Sequence, residues 1–328
     1  VPGLAPMREV KLIRYDNANN PELLFRGFVI NYDYNFALGG LDTVTVYCAD
    51  QFYLLSQTYL DEFNPTAELS GARLNTVLSL PEVDFPTGVS RDIATGTVEL
   101  GHDAAYTVAA GTNVLTYVSQ VNDTAEFGRV FMSREGVFTF QDRIGNTLSA
   151  SVADFHDDGT NIPYNGLGIS FEADAVVNRS VVTGLNNNTA TAEDTASIGT
   201  YFIQTSSITN SLLHQQGDID TAASYLLNGD PEARFTSVET AFMALTTVQR
   251  DAVAVIDIGN TVTIEKTFAS GTGTTQLAQE LSVEGIEHYL DLSSGHRVLI
   301  STAPTTIVYE LILDNVTYGT LDALNVLG

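Results

Sequence analysis

His102, His156, His214, His288 and His296 are the residues of this chain suited to acid–base or metal chemistry near neutral pH. No two stand four apart on one helix face or in an HExxH frame, so the spacing of a zinc site is missing. His288 and His296 flank one expected hairpin, EHYLDLSSGHRV, where they either meet across the strands or stand as polar residues on a rim. The acidic stretch ADFHDDGTNIPYNG puts Asp154, Asp157, Asp158 and Asn161 near a glycine, as the oxygen ligands of a calcium loop would be. It lacks the alternate spacing and closing glutamate of an EF-hand, which leaves a solvated turn as the other reading. Glu284 and Glu287 are a carboxylate pair of the kind that cleaves glycosides, where roughly 5 to 10 Å separates the two groups. With 40 acidic residues in the chain such pairs also arise by chance. A GxSxG elbow is absent, and GTGTTQ and GLGIS lack the lysine and helix of a phosphate loop. No catalytic constellation follows from the sequence, and no cofactor is implied.

The elements that would carry these residues are mostly strands. REVKLIRYD, ELLFRGFVINYDYNF and DTVTVYCADQF are extended runs separated by NANNP and ALGG, which supply turn residues, and they predict a meander over residues 1 to 57. Cys48, the single cysteine, lies in the last run and is expected as a small buried core residue. The period then changes. LSGARLNTVLSLP predicts a helix capped by Ser70 and stopped before Pro81. GTNVLTYVSQVNDTAEFG predicts a second, capped by Thr112 or Asn113, with Val114, Leu115, Val118, Val121 and Ala125 in a stripe and Gly128 as its close. A hairpin over residues 127 to 143 turns at Ser133 to Gly136. LNNNTATAEDTAS reads as an exposed loop or crossing, and GDIDTAASYLLNG as a compact helix. From ARFTSVETAFMAL to TTIVYELILDN the chain reads as β again.

Composition narrows the partners. The chain has 328 residues, 40 acidic against 14 basic, for a net charge of −26. Such a surface repels phosphate backbones and anionic membranes. No apolar run approaches the roughly 18 residues of a helical membrane span. Only Lys11 and Lys266 are lysines, which is consistent with a solubilising acidic surface and also with adaptation to high salt.

Several segments in order resemble the minor tail proteins of long-tailed phages, the tail-hub family of siphophage type. LFRGFV and DTVTVYCAD are followed by YLDEF and ELSGARLNTVLSL, and then by a helix running into AEFGRVFMSREGVFTFQDR. Later, DTAASYLL, VIDIGNTVTI, SVEGIEHYLD and LILDNVTYGTLDALNVLG are similar to the family's C-terminal barrel and closing strand. The resemblance implies a mainly β, β-rich α+β fold of tail-tube-like β-barrel domains linked by smaller mixed α/β domains. It divides the chain into a first barrel at 1–57, a lateral mixed domain at 58–143, return strands and crossing loops at 144–210, and a second barrel with closing strand at 211–328. The chain opens on VPGLAPMREVKL, a step that family members reach after an earlier strand set, so the first barrel is expected to be partial.

What the family implies is a non-enzymatic structural protein at the tail tip of a virion. It would be a homotrimeric hub joining the tail tube, distal tail and tape measure proteins to tail-tip fibres or receptor-binding proteins. Genomic DNA would pass through its channel without specific binding, past an acidic wall. The hairpin at 127 to 143 is then scaffold. The rival readings are a carbohydrate-binding or glycan-degrading tail-tip module using Glu284 and Glu287, and an acidic enzyme of a salt-loving organism.

Overall fold

Val114, Val118, Val121 and Ala125 recur at helical spacing, and in the structure, a computed structural model, all four are buried. It describes residues 5–86, 90–101, 107–143, 150–171, 175–229, 234–270 and 273–303. The chain is β-rich α+β and divides into two compact units, Val1–Gly145 with Phe171–Ala233, and Asn146–Ser170 with Arg234–Gly328. His102 and the expected closing strand at 311–328 lie outside the described residues.

In the first unit the helix Val114–Val121 begins at Asn113, whose side chain accepts from the Thr116 amide, as the spacing predicted. It runs on into a π-helical turn, Asn122–Glu126. The turn closes at Phe127, in left-handed conformation, and not at Gly128. Gly128 is needed for a different reason, because a Cβ there would stand 2.2 Å from the Gln141 carbonyl oxygen. The helix Ser70–Leu78 also starts differently: Leu69 holds the N-cap, and the Ser70 hydroxyl is spent on Glu126.

The hairpin Arg129–Met132 and Phe138–Gln141 pairs as expected, and Arg91–Ile93 adds a parallel third strand. Phe138, Phe140 and Thr139 are all buried, so both faces of the hairpin are enclosed. It shares a core with Leu74, Val77, Val118 and Ile219, which makes it scaffold within its unit. The stretch expected as an exposed loop holds a strand, Thr189–Glu193, paired to Arg179–Thr183, and a helix, Thr195–Tyr201, capped by Asp194. Ala190 on that strand is buried, a small apolar residue in a polar run that carried too little hydrophobicity to predict a strand.

The second unit is built on a six-stranded sheet. Its order is Ala153–Phe155, Thr261–Ser270, Gly273–Asp291, Gly295–Ala303, Arg234–Ala241 and Gly166–Ser170. The core lies on one face, with Phe235, Val238, Val262, Ile264, Val298 and Ile300 buried beside the helix Thr247–Ala254. Neither unit holds a closed barrel among the described residues. The two outer strands of this sheet do not pair with each other. A single parallel bridge from Phe155 to Ile162 brings one edge towards the chain that leads into the other.

Candidate interaction surface

The acidic loop is positioned by Ala153–Phe155, which runs parallel to Thr261–Ser270. Its carboxylates are engaged by protein donors. Asp154 accepts from the Ser151 hydroxyl at 2.7 Å, and Asp157 accepts from Lys266 Nζ at 2.6 Å and from the Thr267 amide. Asp158 accepts from the hydroxyl and amide of Thr160 and from the Asn161 amide. The Thr160 hydroxyl first, then these amides, hold the Asp158 carboxyl well below the usual carboxylate range. Lys266 does the same for Asp157. His156 is buried beside them, its Nε2 2.5 Å from Glu265 and its Nδ1 accepting from the Asp158 amide at 2.7 Å. Among the described residues no three His, Cys, Asp or Glu side chains converge on a metal position.

The hairpin of Gly273–Asp291 with Gly295–Ala303 carries the other candidates. His288 and His296 do meet, Nδ1 to Nε2 at 3.0 Å. Glu284 stands where the ladder register shifts between Val283 and Gly285, and Glu287 accepts from the Tyr289 hydroxyl. At the turn, the Ser293 hydroxyl and the amides of Ser293 and Ser294 hold the Asp291 carboxyl down to about 2, from 3.8. A carboxylate with a depressed pKa stabilises the turn fully above its unfolded value and stops doing so as pH falls through its folded value. The Asp291 carboxyl carbon is therefore expected to titrate by NMR near pH 2, and the turn to hold at pH 3.5. A midpoint near 3.8 would contradict the bonding described.

The largest departure from expectation is in the sheet Glu9–Tyr15, Pro21–Asn35 and Thr43–Ala49. Leu24 and Val29 are buried, but beyond Asn31 the hairpin is covered on neither face. Cys48 is exposed, not buried, because Thr43–Ala49 is an edge strand on which none of the described residues packs. Tyr32, Tyr34 and Phe36 form a row of near-parallel rings with centroids 6.3 and 6.2 Å apart. Phe36 is 77% exposed, and Leu38, Leu41 and Val44 also face solvent. The sequence predicted a meander here with Cys48 in its core. Alternation says which residues share a face and not whether anything covers it. Glycine at 39 (φ 84°) and the turn ALGG were the legible part of this hairpin.

No protein-family model matches the sequence, and no curated protein matches it. Solved structures do. A tail protein from Neisseria meningitidis superposes with a TM-score of 0.59 at 12% identity, over 92% of this chain and 89% of that one. This is a phage-tail-protein fold. The 43 kDa tail protein of prophage MuSo2 from Shewanella oneidensis aligns at TM-score 0.54 and 12% identity, over 90% and 89%. The prophage tail protein gp18 of Listeria monocytogenes aligns at 0.51 and 9%, over 92% and 86%. The tail-protein fold thus spans both units.

Proposed function

We propose that this chain is a structural, non-enzymatic component of a virion tail, a homotrimeric hub at the tail tip. In this reading it joins the tail tube, distal tail and tape measure proteins to distal fibres or receptor-binding proteins. Its acidic wall lets DNA pass without specific binding. The observation that carries the proposal is the uncovered apolar sheet from Asn31 to Cys48 in a chain with a tail-protein fold. A soluble monomer rarely leaves so much contiguous apolar surface open, whereas a subunit covers it on assembly. The experiment is solution mass by light scattering at low and at molar salt. The expected result is three times the 35.3 kDa of one chain. Appearance of the trimer only at molar salt would add support for adaptation to high salt, because screening would be what permits assembly of chains carrying −26 each. A monomer at both ionic strengths would count against a self-assembling hub.

A second reading, a carbohydrate-binding tail-tip module, is favoured by the aromatic row Tyr32, Tyr34 and Phe36, since sugars pack apolar faces on exposed rings. Glycan binding lost in Tyr34→Ala, with mass unchanged, would select it.

A further inference from the structure

We propose that His288 and His296 form a two-imidazole binding site for a borderline divalent transition metal, Cu2+ in preference to Zn2+. The inference stands on the second unit alone and is independent of the tail reading. In the ladder His288 lies opposite Val298 and His296 opposite Leu290, so the two histidines sit diagonally on one face of the hairpin. Their facing nitrogens are 3.0 Å apart. Two imidazole nitrogens bound about 2.0 to 2.1 Å from one metal at adjacent coordination positions are themselves about 2.9 to 3.4 Å apart. The pair already has the bite of a chelate, and a metal bound there takes the place of the proton that the two rings share.

The surroundings support this. The Phe242 ring lies 3.9 Å from the His296 ring, centroid to centroid, and limits its rotation, so less freedom is lost on binding. Arg297 is placed on the opposite face, where it donates to Glu239 and lies over the Tyr289 ring, so its charge does not face the incoming cation. The general affinity order of divalent metals for imidazole nitrogen puts Cu2+ above Zn2+. Water completes the coordination, and the net −26 of the chain raises the local cation concentration.

The test is calorimetric titration of Cu2+, Zn2+ and Ca2+ into the full chain carrying Cys48→Ser, because an exposed thiol is itself a metal ligand. One Cu2+ per chain is expected at micromolar Kd and pH 7.5, with Zn2+ weaker. His288→Ala and His296→Ala should each weaken Cu2+ at least tenfold, and His214→Ala should leave it unchanged. Binding should also fall at pH 5.5, where imidazoles protonate. Electron paramagnetic resonance of the Cu2+ form should show two nitrogen ligands, a readout that an unfolded variant cannot mimic. Retention of one tight equivalent in both histidine variants, no binding up to millimolar metal, or Ca2+ binding equal to Cu2+ would each overturn the site.

Discussion

Glu126→Ala is expected to destabilise the first unit by about 4 kcal/mol. Glu126 is 0% exposed, at the end of the π-helical turn. Its carboxylate accepts from the Ser70 hydroxyl at 2.5 Å, the Thr97 hydroxyl at 2.5 Å, and the amides of Thr97, Val98 and Arg143. One side chain thus ties the start of one helix, the end of another, the 94–98 segment and the end of the hairpin. Alanine leaves several buried donors without an acceptor, and each costs about 1–3 kcal/mol before any water enters. Packing there is tight, since a Cβ at Gly71 would stand 1.8 Å from the Ala94 carbonyl oxygen, which leaves little room for a replacement water. The midpoint of thermal unfolding should fall by roughly 8 to 16 °C for a unit of this size. Glu126→Gln keeps an acceptor but turns an NH2 towards donors, so it should lie between the two. A loss below about 1 kcal/mol for alanine would mean that the donors are rehydrated.

The sequence carried local structure further than it carried closure. The stripe from Val114 to Ala125 and the cap at Asn113 were legible because period and cap chemistry agree there. The π-helical turn was not, since nothing in NDTAE distinguishes it from a frayed helix end. The helix Thr247–Ala254 was readable and missed: Thr246 and Gln249 form a capping box, and a T-x-x-Q spacing precedes the helix. Asp50 and Asp194 likewise cap helices that begin where the sequence read as strand or loop. Of the candidate site, the meeting of His288 with His296 depended on hairpin register, and sequence gives register only when the turn length is known. Asp157, Asp158 and Asn161 lie on one loop and Asp154 on the strand before it, and the Asp157 partners Lys266 and Thr267 arrive from a strand about a hundred residues later, which no local pattern records.

Tyr34→Ser with Phe36→Asp is expected to convert the proposed trimer to single chains while leaving the unfolding midpoint unchanged. Both side chains are at least half exposed in the single chain, so removing them takes away little folding energy, within about 0.5 kcal/mol each. In an assembly that covers the sheet they would be aromatic anchors, and truncating a buried anchor costs about 2 kcal/mol or more. Two such losses weaken an interface about a thousandfold. In the proposed assembly the aspartate adds a carboxylate to a surface that meets another chain of net −26, and high salt should relieve only that part. The hairpin is nearly free of charge between Asp33 and Asp42, as a surface that meets an acidic copy of itself requires. An unchanged mass would remove this sheet as the self-contact. A lower midpoint together with the lower mass would mean that the hairpin folds back onto its own chain in solution. Only a fall in mass at constant stability ties the exposed row to assembly, because that outcome separates what the sheet does for the subunit from what it does between subunits.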